Sequence, residues 1–145
     1  MKLILLTATL LMFASRIKHT PSHLSYKRWR IRLDKYLDKS KSIDEKGEEY
    51  KSIVHGVATI FGWFLYTLLI IYYLVIGCKF PQTPLFVLSA IQVITVFIHW
   101  KNEILMNDKV FSNNIEDHEF KRWWNLFNVI LDCVYYPMAI YMLMQ

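Results

Sequence analysis

Hydrophobic positions in this chain gather in long runs, and polar positions either separate the runs or recur inside them at helical spacing. The longest run, 53–77, reads IVHGVATIFGWFLYTLLIIYYLVIG and holds 25 residues without a formal charge. About 20 apolar residues, each rising ~1.5 Å, cross a hydrocarbon core of ~30 Å. The run therefore predicts a transmembrane helix. A second run, 85–100, reads LFVLSAIQVITVFIHW and has 16 residues. It is short for a span, so it must thin the bilayer locally or lie against neighbours. A third, 123–144, predicts a span that Pro137 can kink. The stretch CKFPQTP at 78–84 carries two prolines and predicts a turn.

The first run, LILLTATLLMFA at 3–14, has the shape of a signal-peptide core. Met12 or Phe13 would occupy the minus-three position of a cleavage site, where a small residue is needed. Cleavage would also leave the basic segment that follows on the outer side, against the positive-inside tendency. The expectation is an uncleaved, short hydrophobic helix that spans the bilayer or inserts halfway.

The segment between the first two runs has a different pattern. In SHLSYKRWRIRLDKYLDKSK, Tyr26, Trp29, Leu33, Tyr36 and Leu37 recur at three- and four-residue steps. Lys27, Arg28, Arg30, Arg32 and Lys35 largely surround that face. This predicts an amphipathic arm over 22–40, capped by Ser22, with its apolar face on lipid or on a partner helix. The stretch DEKGEEYKS beyond it reads as a solvated linker or a frayed helix.

Composition and charge agree with a membrane protein. Hydrophobic residues make up 54% of the 145, and the net charge is +5. Residues 15–52 hold 11 of the 17 Lys and Arg, whereas 53–100 hold one, Lys79, and no carboxylate. Such segregation marks membrane topology and attraction to anionic headgroups, and leaves nucleic acid a distant second. The expected fold class is an all-α polytopic membrane protein. It comprises a single domain over 1–145, with three transmembrane helices at 53–77, 85–100 and 123–144. A short N-terminal helix at 3–14 and an interfacial basic arm complete it. The basic loop 15–52 is expected on the cytoplasmic side and the C-terminus outside. Trp100, Trp123 and Trp124 would then lie at the inner boundary, and Tyr72 and Tyr73 near the outer one.

Polar groups inside the runs form three stripes. Asn125, Asn128, Asp132 and Tyr136 share one helical face. So do Ser89, Gln92, Thr95 and His99, and likewise His55, Thr59, Gly62 and Tyr66. Polar groups facing lipid lack partners, so the stripes are expected to face one another or another subunit. If the runs begin level at residues 53, 100 and 123, His55, His99 and Asn125 lie near the inner interface. Thr59, Thr95 and Asn128 then lie deeper, and Gln92 and Asp132 about 12–14 Å in. The stripes would line a vestibule open to the inner side.

Two readings of Asp132 follow: a polar clamp between helices, or a group that binds or passes an ion, with His55 and His99 at the mouth. Catalysis has little support. His99 and Glu103 stand four apart and could present two metal ligands, and His118 lies among carboxylates. No third ligand stands at a telling distance, and no phosphate loop, nucleophile elbow or Cys-x-x-Cys motif occurs. Neither cofactor nor metal nor small-molecule substrate is expected. Cys78 and Cys133 have no metal spacing. The leading expectation is a non-enzymatic subunit of a larger membrane complex, built with itself or other chains. The alternative is an oligomeric ion or proton channel lined by Asp132 and Gln92.

Overall fold

The computed structural model describes residues 2–111 and 120–145, with side chains in all of these except 40, 44 and 103–111. Five helices follow in order: α1 (Lys2–Leu24), α2 (Tyr26–Asp44), α3 (Glu48–Lys79), α4 (Pro84–Phe111) and α5 (Arg122–Met144). No strand occurs among the described residues. Four of the helices, α1, α3, α4 and α5, are long and apolar enough to cross a membrane.

The first helix differs most from expectation. It does not stop at residue 14 but continues through Arg16, Lys18 and Pro21 to Leu24. Charge ends an apolar run, yet it does not end a helix: Ser15 to Lys18 keep their backbone bonds within the helix, and arginine and lysine are good helix formers. The expected cap, Ser22, lies inside α1 and donates its hydroxyl to the His19 carbonyl at 2.7 Å. Ser25 is the residue in extended conformation that starts α2.

The other ends also shift. The acidic linker splits at Gly47, whose φ of +98° lies in the left-handed region that glycine tolerates. Glu48 and Glu49 then open α3, where acidic groups favour the helix N-terminus. The turn between α3 and α4 shortens to 80–83. Its Thr83 hydroxyl donates to the Phe80 carbonyl at 2.8 Å, and Pro84 opens α4. Helix α4 continues to Phe111, well past the expected end at Trp100.

Helix α3 packs on α4, α1 on α5, and α4 joins the two pairs through α5. Cross-contacts give the directions. Arg16 meets Asp132 and Phe13 stacks on Tyr136, so α1 runs antiparallel to α5. Ser89 meets Tyr135 and Gln92 meets Asp132, so α4 also runs antiparallel to α5. Leu24, Glu48 and Arg122 therefore share one end of the bundle, and Lys2, Lys79 and Met144 the other. At the α3–α4 turn the two helices approach closely. A Cβ added at Gly77 would stand 3.0 Å from the Ser89 Cβ.

The bundle is apolar outside and partly polar inside. Thr9, Ser89, Gln92 and Thr95 are buried. Leu3, Ile4, Ile60, Phe61, Val87 and Ile130 all face outward, each more than half exposed. This inversion of a water-soluble protein is the arrangement that lipid favours. Tyr72 and Tyr73 do not form an outer belt; both are buried in the core, with Tyr73 fully enclosed.

Candidate functional site: a polar centre among the spans

The centre is built on Asp132, ten positions into α5, or ~15 Å along its axis. Gln92 of α4 donates from Nε2 to Asp132 Oδ1 at 2.9 Å. The Nε of Arg16 on α1 lies 3.7 Å from the other carboxylate oxygen. The Asp132 carboxylate is 15% exposed and the Arg16 side chain 37%, so the pair opens on the arginine side. Thr95 braces the glutamine from one turn away. Its hydroxyl donates to the Gln92 carbonyl at 2.8 Å and reaches the Gln92 Oε1 at 3.3 Å. Each charge alone at the centre of a spanning helix would cost about 2.5–3.5 kcal/mol. Bringing both together offsets part of that cost for each helix.

A tyrosine layer continues from the charged pair toward the α3–α4 turn. The Tyr136 hydroxyl shares a 2.7 Å hydrogen bond with Tyr73 and also engages Arg16. The Tyr72 hydroxyl meets Thr9 at 2.7 Å, and the Ser89 hydroxyl donates to Tyr135 at 3.4 Å. The rings of Tyr73, Tyr135 and Tyr136 pack edge to face, with centroids 5.2–5.3 Å apart. Such contacts join apolar burial to a favourable quadrupole geometry. Toward the other end, the His99 ring lies beside Asn128 and 6.0 Å from the ring of Trp124. Asn128 donates to the Trp124 carbonyl at 2.7 Å. Asn125, half-buried, lies about two turns from Asp132 along α5.

Two of the three expected stripes thus meet: Gln92, Thr95 and His99 of α4 against Asn128 and Asp132 of α5. The third does not reach the centre. Trp63 packs edge to face on Trp100 with centroids 4.6 Å apart, and Tyr66 stacks on the same ring at 6.0 Å. Residue 63, not 53, is therefore level with Trp100. The apolar run of α3 begins ~15 Å before the level at which the other two begin. His55 and Thr59, both half-buried, lie in that overhang. Equal starting levels were the assumption that failed, because a run of apolar residues measures length and not register.

Arg16, Thr9, Tyr72 and Tyr73 enter the centre without having been expected there. Arg16 had a signal: a cation beside an apolar run, opposite in sign to a carboxylate inside another run. Counted with the basic loop, it was misplaced.

The arm behaves partly as expected. Lys27, Arg28, Arg30, Arg32 and Lys35 are exposed. Arg30 pairs with Asp34 at 3.4 Å on the surface, and the Arg32 guanidinium lies 5.9 Å over the Tyr36 ring. Part of the apolar face, however, is covered by the chain itself. Leu33 is 3% exposed, and Trp29 packs on Tyr26 and on Phe120 at 5.5–5.6 Å.

Cys78 and Cys133 are free and exposed on different helices. Among the described residues no three of His, Cys, Asp and Glu gather as a metal ion would require. The Glu103 side chain and His118 lie outside the described residues. Compared with family models, curated proteins and solved structures, the chain matches none.

Proposed function

We propose that this chain is a small, non-enzymatic integral membrane subunit that assembles with itself or with other chains into a larger membrane complex. One observation carries the reading: the overhang of α3. Ile53, Val57, Ile60 and Phe61 precede the level of Trp63 and are each more than half exposed. An apolar stretch longer than its neighbours must tilt, thicken the bilayer or find protein cover. Protein cover is favoured, since α4 and α5 hold the register of α3 against them and limit its tilt. The internal pairing of the polar centre supports a structural role as well. Asp132 and Gln92 hold each other and Arg16 within one chain, which favours a clamp over an ion path. Two to three such contacts average only ~0.6 kcal/mol each in membranes, an ordinary contribution to a bundle.

In this proposal the end carrying α2 faces the cytoplasm and the C-terminus lies outside. The support is the exposed row Lys27, Arg28, Arg30, Arg32 and Lys35, in keeping with the positive-inside tendency. Near an anionic leaflet each such residue contributes about 1 kcal/mol of attraction.

Native mass spectrometry of protein released from membranes tests the assembly. A mass above that of one chain is expected, and a photo-crosslinker at Val57 would capture the neighbour. A monomer whose Val57 crosslinks only to lipid overturns the proposal. Ion flux in liposomes that Asp132→Asn abolishes, with assembly intact, would replace it by the channel reading.

A further inference from the structure

We infer that α1 is a conditional span: it crosses the membrane only when Arg16 is received by Asp132 of α5. The inference concerns one chain's own topology and does not rest on assembly. Among the four candidate spans α1 is the least apolar and the least covered, with 6% of its window buried against 22–28% for the others. Its one fully buried side chain is Thr9, bonded to Tyr72. Its remaining polar tie is the ion pair of Arg16 with Asp132, joined by Tyr136. Leu5, Leu6, Ala8, Met12 and Phe13 pack on the core as partly buried side chains, whereas Leu3, Ile4, Leu11 and Ile17 face outward.

A second resting place for α1 is built into the sequence. Arg16, Lys18, His19, Thr20, Ser22 and His23 fill its last third and lead directly into α2, which is already amphipathic. With no partner for Arg16, this half would lie on the membrane surface in line with α2, and the apolar first half would dip into the same leaflet. Arg16 lies eight positions from the Leu24 end, or ~12 Å deep along the axis. An arginine at that depth is unfavourable without a partner. Chain order adds a temporal element. Asp132 follows Arg16 by 116 positions, so the first span lacks its counter-charge until the last one is made. The ion pair then joins the first and last helices and locks the finished topology.

Site-directed labelling tests this in full-length protein in sealed vesicles, with Cys78→Ser and Cys133→Ser as background. An impermeant maleimide reports Leu3→Cys at the tip of α1. Gln82→Cys in the 80–83 turn and Ser42→Cys on α2 mark the two sides. With Asp132 present, Leu3→Cys is expected to label from the Gln82→Cys side. In Asp132→Ala it is expected to move to the Ser42→Cys side, the insertion equilibrium shifting on the order of a hundredfold. Adding Arg16→Leu to Asp132→Ala removes the unpaired charge and is expected to return Leu3→Cys to its original side. Either of two results overturns the inference. One is a Leu3→Cys that stays on the turn side in Asp132→Ala. The other is a double variant that fails to restore it, which would trace the change to lost packing and not to charge. Oligomeric state does not enter the readout, so failure of assembly and failure of this inference remain distinct.

Discussion

The approach of α3 to α4 at Gly77 leads to a prediction with an internal control. In Gly77→Ala the new methyl would meet Ser89 Cβ at 3.0 Å, Ser89 Oγ at 3.3 Å and Phe86 Cδ2 at 3.7 Å. The first of these atoms is attached to the α4 backbone and cannot rotate away. The second can rotate, but it is engaged with the Tyr135 hydroxyl at 3.4 Å. The hairpin must therefore open by a few tenths of an ångström, and overpacking of this kind costs about 1–3 kcal/mol. Alanine in place of a helical glycine returns up to about 1 kcal/mol. The expected net effect is a loss of roughly 0–3 kcal/mol. At Gly56 and Gly62 of the same helix nothing lies within 4 Å of an added Cβ. There the same substitution is expected to be neutral or to stabilise by up to about 1 kcal/mol. Unfolding by titration with sodium dodecyl sulfate in mixed micelles, followed by tryptophan fluorescence, compares the three variants. Gly77→Ala is expected to unfold at a lower detergent fraction than Gly62→Ala, and adding Ser89→Gly to recover part of the difference. If Gly77→Ala and Gly62→Ala unfold together, the close approach of the helices is not a determinant of the fold.

Three further outcomes follow from the same structure. The native cysteines report depth: an impermeant maleimide is expected to label Cys78, beside the 80–83 turn, but to spare Cys133, which is exposed on α5 next to Asp132 and would face lipid. A lipid-soluble maleimide would label both, and impermeant labelling of Cys133 would refute a membrane-embedded α5. Gln92→Leu removes the donor to Asp132 and is expected to cost about 0.6–1.7 kcal/mol in detergent unfolding, while Gln92→Glu, which sets two carboxylates together, costs more; a silent Gln92→Leu would count against the 2.9 Å bond. Tyr73→Phe and Tyr136→Phe each remove one hydroxyl of a shared bond, so the double variant is expected to lose less than the two singles added together, and strict additivity would show that the hydroxyls are not coupled.

Helical class and membrane character were legible from the runs alone. A chain without water around it must close its backbone bonds locally, so a long uncharged run admits little besides a helix. Thus 53–77 and 123–144 foretold α3 and α5, and the last of these to within a residue. Helix ends were less legible. Apolar runs end where charge begins, whereas α1 and α4 continue through charged residues to Leu24 and Phe111 because helix propensity and internal hydrogen bonding persist. The polar stripes were legible as stripes, with Gln92 and Asp132 at similar depth, but whether they met each other or another chain was left to the structure, which pairs them.

What the sequence determined by itself, then, was where the long apolar helices lie and which face of α4 and α5 carries polar groups, because both depend on spacing within a helix. Tertiary structure decided which faces meet and at what height. Register between helices depends on contacts such as Gly77 with Ser89 and Trp63 with Trp100, and these drew His55 and Thr59 away from the level of Asp132. It also decided that Arg16 belongs beside Asp132. A lone cation after an apolar run is indistinguishable from a loop residue until a carboxylate 116 positions later is folded against it.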